Sequence, residues 1–262
     1  MIKMYIQINS LILYRQVLMN VILPYTPSKG MYFSKIILAM HPAMEGGDFF
    51  IDKLGLAYLA DTYSIAIVAP SLGNGYFINS PYEKQADFLQ AELLPVLREM
   101  LPLSSRREDN VLLGISMGAF GAAHWALRCP ETFGAAALIS GVFDASQPVD
   151  ERARKNREQR PLVKLFSEKV MPLLMRDEEG NISSEADIRP LYARAAEKGA
   201  PDFALWCGEE DYLSLEQSRN FARNCRAQGI SVTEHIAPGV HNLAFWKGAV
   251  GDALHWLMEK SN

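Results

Sequence analysis

Cysteine is scarce and poorly placed for bonding. The chain holds three, Cys129, Cys207 and Cys225. The number is odd and no C-x-x-C spacing occurs, so the sequence offers neither a disulfide framework nor a thiolate metal cage. No metal site is expected, and free thiols fit a reducing compartment. Positive charge is also short. The formal net charge is −4, whereas phosphate backbones are bound by clustered Lys and Arg. A nucleic-acid partner is therefore not expected. The one basic cluster, ERARKNREQR at 151–160, also contains acids and reads as a solvated helix face. Long apolar runs are missing too. Lys3, Asn9, Arg15 and Asn20 interrupt the apolar N-terminus, and no h-region with a small-residue cleavage site follows. No run is long enough to span a bilayer. The expectation is a soluble cytoplasmic protein with no membrane partner.

What is present is an alternation. Hydrophobic residues make up 49% of the 262 and charged residues 21%, a balance that supports one large globular domain with a full core. Apolar runs at 16–24, 34–40, 64–70, 110–115, 135–140, 203–208 and 231–237 predict strands. Helical spacing predicts helices over 49–61, 82–101 with a kink at Pro95, 116–128, 214–229 and 242–260. Strands alternating with helices define an α/β protein, with a mostly parallel sheet covered on both faces. The first strands lack a helix between them and are expected to be antiparallel. Residues 147–200 break the alternation. They are charged and helical, and they read as an insertion over the sheet's C-terminal edge, where open α/β sheets place their sites.

Residues 113–122 read LGISMGAFGA. Gly114-Ile115-Ser116-Met117-Gly118 fits G-x-S-x-G. It directly follows an apolar strand and directly opens a helix, as a nucleophile elbow does. The small residues let strand and helix pass close to each other. The Met117 N–H then stands at a helix N-terminus, aimed at a developing oxyanion.

A serine needs a base to become a useful nucleophile. In this arrangement the partners follow in the order Ser, Asp or Glu, His, each after a later strand. His41 precedes the serine, His124 lies in the serine's own helix, His235 lies in a strand and His255 in the last helix. His241 sits on a Pro-Gly loop between the last strand and the last helix, and is the expected base. For the acid, WCGEEDYLS (206–214) offers Glu209, Glu210 and Asp211, and SGVFDAS offers Asp144. Asp211 is the choice, with Asp144 next. The loop after strand 34–40 should supply the second oxyanion donor. Pro42 has no N–H, which leaves Ala43, with Met44 as runner-up. Met44, Tyr76, Phe77 and Met117 suit the wall of a small acyl pocket, and suit a core equally.

These stretches resemble the tributyrin esterase and esterase D-like group of α/β-hydrolases, which includes formylglutathione hydrolases and feruloyl or acetylxylan esterases. The resemblance runs through VILP, LAMHPAMEGGDFF, APSLGNGYF, VLLGISMGAFGAAHWAL, FGAAALISGVFD, CGEEDYL and PGVHNLAFW. It covers about residues 10 to 258 outside the 147–200 insert. It implies an α/β-hydrolase fold, a Ser116, Asp211 and His241 triad, Met117 and Ala43 as oxyanion donors, and hydrolysis of short-chain acyl esters without a cofactor. Three features depart from the group. His41 is followed by Pro42 instead of glycine. His241 is followed by Asn242 and Leu243 instead of Asp and an aromatic. The insert is long and charged, which suits a lid or a subunit contact in a homo-oligomer.

Competing readings share the same residues. Deacetylation of a sugar and hydrolysis of a thioester use the same machinery. So does acyl transfer to an alcohol, which differs only in how well the site excludes water. A hydrolase fold that only binds is the reading from another class.

Overall fold

Ile2, Met4, Ile6 and Ile8 alternate with Lys3, Tyr5, Gln7 and Asn9, the period of a strand with one packed face. In the computed structural model they form β1 (Ile2–Ser10). The model describes residues 1–260 apart from 27, 29, 32, 34, 145–150, 159 and 178. A four-residue turn leads into β2 (Arg15–Leu23), which pairs with β1 antiparallel along its whole length. Only β2 of this hairpin was expected, although the alternation in β1 is readable. A short ribbon follows, β3 (Tyr25–Thr26) and β4 (Gly30–Met31).

The remaining strands are β5 (Lys35–Met40), β6 (Ile65–Pro70), β7 (Asn110–Ile115), β8 (Ala135–Ile139), β9 (Asp202–Gly208) and β10 (Val232–Ala237). Position 34 of the expected strand 34–40 lies outside the described residues. The eight-stranded sheet runs β1-β2-β6-β5-β7-β8-β9-β10. From β6 to β10 every pairing is parallel, and β2 meets β6 antiparallel. The expected reversal is therefore present, but β6 lies between β2 and β5. Central strands β5 to β8 are buried on both faces, as a doubly covered parallel sheet requires.

Helices cover both faces. They are α1 (Leu56–Tyr63), α2 (Gln85–Asp87), α3 (Leu94–Met100), α4 (Met117–Arg128), α5 (Glu151–Glu158), α6 (Pro161–Leu165), α7 (Met171–Met175), α8 (Arg189–Glu197), α9 (Leu215–Ala227) and α10 (Leu243–Glu259). One core joins Leu56, Ala60, Ala253 and Leu257 to Ile37, Val111 and Leu113. The other joins Leu97, Phe120, Trp125, Tyr192 and Phe221 to Leu38, Leu112 and Phe203. Successive residues of one strand thus face different cores. This is an α/β-hydrolase fold.

Two expected helices are built differently. Gly55 takes a left-handed φ of 69° and splits 49–61 into a π-helical turn, Phe49–Lys53, and α1. Pro95 does not simply kink its helix. It lacks the N–H that an α bond to Ala91 would use, and the preceding turns, Phe88–Leu93, widen to π spacing. The same device recurs at Phe166–Val170, just ahead of Pro172.

Between β8 and β9 the chain makes α5 to α8, with a bridge between Arg176 and Ile182. Positions 147–150, 159 and 178 of this expected insertion lie outside the described residues. The segment touches loops at the C-terminal ends of the strands. The Phe166 ring stacks on Tyr76 at 6.2 Å. The Arg152 guanidinium lies 3.9 Å from the centre of the Tyr212 ring. Arg128 of α4 pairs with Glu185 at 2.7 Å.

Candidate active site

Ser116 links β7 to α4 with φ 55° and ψ −113°. A serine pays a conformational penalty there, and only surrounding structure can hold it. Its N–H donates to the Ile139 carbonyl of the neighbouring strand at 2.8 Å, and its own carbonyl accepts from Ala119 and Phe120. A Cβ at Gly118 would collide with the carbonyl oxygens of Met40 and His41. Glycine is therefore what lets the start of α4 lie against the end of β5.

The expected partners converge on this turn. Ser116 Oγ is 2.9 Å from His241 Nε2, across 125 residues of sequence. His241 Nδ1 is 2.9 Å from Asp211 Oδ2. Asp211 is wholly buried, and its Oδ1 accepts from the Ser214 N–H at 3.1 Å. Burial alone would raise the Asp211 carboxyl. The hydrogen bond and charge of His241 and the bond from Ser214 outweigh burial and hold it below the usual carboxylate range. The Asp211 side chain is thus an anion facing Nδ1. Nδ1 then carries the proton, and Nε2 is free to accept one from Ser116. Trp246 meets the imidazole edge-on at 5.2 Å. Asn242 caps α10 by accepting from the Phe245 N–H at 3.0 Å, so this residue fixes the helix that follows the histidine.

The other candidates are placed elsewhere. Glu209 and Glu210 are exposed. The backbone of Asp144 is tied to Gln217, and it is Asp211 that His241 meets. His124 is buried against Phe120, His235 stacks on Trp206, and His255 lies beside Glu259 on the surface. His41 is buried and serves the loop that it opens. Its Nε2 accepts from the Leu72 N–H at 3.2 Å, and its Nδ1–H donates to the Pro42 carbonyl at 2.8 Å. Burial lowers its pKa and keeps the ring neutral, as that tautomer needs.

In that loop one of the two candidate amides is already engaged. The Met44 N–H donates to Asn74 Oδ1 at 2.7 Å, with Met44 itself at φ 65°. The N–H groups of Ala43 and Met117 make no hydrogen bond among the described residues. They stand on either side of the contact between β5 and α4. Asn74 was not foreseen, because its partner lies thirty residues away in another loop.

Of the expected pocket residues, Met44 is half exposed beside this loop. Tyr76 is buried beneath Phe166 and meets Phe120 edge-on at 5.7 Å. Phe77 has to be reassigned. It has no exposed surface, its N–H donates to Gln85, its carbonyl accepts from Trp125, and its ring packs under Gly121. It is a core residue that supports α4 and offers a ligand nothing. The Met117 side chain is likewise buried.

Among the described residues no three His, Cys, Asp or Glu side chains are grouped to hold a metal. No helix among them is long and apolar enough to cross a membrane.

A strained serine on a strand–helix turn, a histidine and a buried carboxylate within an α/β-hydrolase fold define the class of serine hydrolases. Comparison with known proteins agrees. Residues 76–257 match the model of the family described as "Putative esterase", and the chain belongs to that family. It is a carboxylic ester hydrolase of the esterase D-like group. An acetyl esterase from Caldicellulosiruptor saccharolyticus is 26% identical over 215 residues, 78% of this chain and 76% of its own. Two solved structures share the fold. The fluorophosphonate-binding serine hydrolase FphF of Staphylococcus aureus superposes with a TM-score of 0.79 at 20% identity, covering 98% of both chains. A ferulic acid esterase superposes with a TM-score of 0.80 at 18% identity, covering 100% of this chain and 98% of its own.

Proposed function

We propose that this protein hydrolyses short-chain acyl esters of small molecules, with Ser116 as nucleophile, His241 as general base and acid, and Asp211 as the group that orients the base. The observation that carries the reading is the unbroken relay from Ser116 Oγ through His241 to buried Asp211, at 2.9 Å and 2.9 Å.

His241 Nε2 takes the hydroxyl proton as Ser116 Oγ attacks the ester carbonyl. The N–H groups of Met117 and Ala43 donate to the oxygen as it gains charge, at the N-terminus of α4. Asp211 stabilises the imidazolium so formed. The proton on Nε2 passes to the leaving alcohol, and the acyl group stays on Ser116. Water, deprotonated by His241, then attacks the acyl-enzyme; the bond from the acyl carbon to Ser116 Oγ breaks, Oγ takes the proton back from His241, and the acid is released. A short acyl group suits the half-exposed Met44 next to the oxyanion loop, and the acetyl esterase relative supports the same range.

Hydrolysis of p-nitrophenyl acetate, butyrate and octanoate by the wild type and by Ser116→Ala tests the reading. Turnover by the wild type and none by the variant is expected. Equal inertness of both, with the wild type refusing a fluorophosphonate label, would leave the fold as a binding protein.

A further inference from the structure

An open groove of about 320 Å³ lies between the loop after β6 and the insertion. Asn74, Gly75, Ser80, Tyr82 and Glu83, the last paired with Arg15, line one wall, and Val170, Leu173 and Leu174 the other. Two contacts join it to the site. Asn74 holds the Met44 N–H, next to Ala43. Tyr76, between Asn74 and Ser80 in the chain, stacks on Phe166 of the insertion and meets Phe120, four residues past Ser116.

Sheet order shows which half of an ester the groove faces. His241 protonates the leaving oxygen, so the alcohol departs on the histidine's side. His241 follows β10 and Asp211 follows β9, on one side of β7. The groove is built on the loop after β6, beyond β5 on the other side. With the carbonyl oxygen held at Ala43 and Met117, the substituent that points away from the histidine is the acyl chain. We infer that the groove is an acyl-chain subsite and that Leu173 on its insertion wall sets the preferred chain length. The inference rests on the triad proposed above.

The wall chemistry agrees. Val170, Leu173 and Leu174 present aliphatic surface, and Leu173 is 56% exposed. Each methylene that leaves water on such a wall is worth about fourfold in affinity. An acetyl group is too short to use it. On this assignment butyryl and octanoyl chains reach progressively further along the groove. The sequence of 161–175 alone gave no sign of this, because the opposite wall comes from residues some ninety positions earlier.

The experiment compares kcat/KM for p-nitrophenyl octanoate with that for p-nitrophenyl acetate in the full-length wild type, Leu173→Asp and Leu173→Trp. The first variant places a charge on the apolar wall and the second fills the groove. The octanoate-to-acetate ratio is expected to fall at least tenfold in both, since the ratio cancels any general loss of activity. A ratio within twofold of wild type in the folded variants would overturn the assignment. A second series uses acetates of progressively longer alcohols. If the variants lose selectivity there instead, the groove serves the alcohol and the inference is wrong. Failure of the triad itself looks different, because the wild type then hydrolyses neither series and takes no fluorophosphonate label.

Discussion

Asn74 Oδ1 accepts the Met44 N–H at 2.7 Å, and this bond engages one of the two amides considered for the oxyanion. Pro42 has no N–H and Met44 has given its own away, which supports the proposal of Ala43 as the donor. The bond also holds Met44 at φ 65°, which a methionine does not adopt unaided. Asn74→Leu removes the acceptor, and kcat on p-nitrophenyl acetate is expected to fall by about 10²-fold, the usual effect of a misplaced oxyanion donor. Asn74→Asp keeps an acceptor oxygen and should recover most of the loss. Wild-type kcat in the leucine variant would show that the loop holds itself.

Ser116 combines chemistry with strain, and two substitutions separate them. Ser116→Ala removes the nucleophile but keeps a Cβ at φ 55°. Ester turnover should drop by at least about 10⁴-fold, with little change in unfolding free energy. Ser116→Gly is equally inactive, but glycine tolerates this backbone. It should resist urea better than the alanine variant by about 1 kcal/mol. Equal midpoints for the two would mean that the elbow is not strained.

The proposed triad was legible because each member sits at a local landmark. Ser116 stands between an apolar strand and a run of small residues. His241 stands on a Pro-Gly loop before an amphipathic helix, and Asp211 stands after a strand. The parallel sheet was legible from the same alternation. Pairwise facts between distant segments were not. Phe77 reads as an aromatic near the site until Gln85, Trp125 and Gly121 close around it. Asn74 reads as a turn residue until Met44 is beside it. The π turns before Pro95 and Pro172 were illegible for another reason. A proline announces a missing N–H, and only the surrounding packing decides whether the helix kinks, stops or widens.

Asp211→Asn tests the orienting role without changing size. The amide can turn its nitrogen toward His241 Nδ1, a donor facing a donor. The favourable arrangement then moves the proton to Nε2, which can no longer accept from Ser116. A kcat loss of about 10⁴-fold is expected. Stability should also suffer, since a buried carboxylate's partners lose their charge-assisted bonds. A variant that keeps more than a tenth of wild-type kcat would pass the role to another acid, with Asp144 the next to test.

His124 lies outside the relay and makes its own prediction. It is buried in α4, stacks on Phe120 at 5.9 Å, and its Nδ1 has no partner among the described residues. Its ring also hydrogen-bonds the Glu185 backbone of the insertion. Burial, and then the charge of Arg128, push its pKa down to about 4 against the pull of that bond. In the unfolded chain the pKa returns to about 6.5. Between those values the unfolded state takes a proton that the folded state refuses. Stability from this group is therefore complete above pH 6.5, falls as pH drops toward 4, and levels off below. The full loss is about 3 kcal/mol, of which about 2 has gone by pH 5. For a domain of this size that is a fall in Tm of roughly 4–8 °C. His41 shifts in the same direction and adds to it. His124→Gln keeps a donor for the Glu185 carbonyl and cannot titrate. Thermal melts at pH 7 and pH 5 should show a clearly smaller drop in this variant than in the wild type. An equal drop in both would move the acid sensitivity to His41 and the oxyanion loop, where it would appear as lost activity before lost structure.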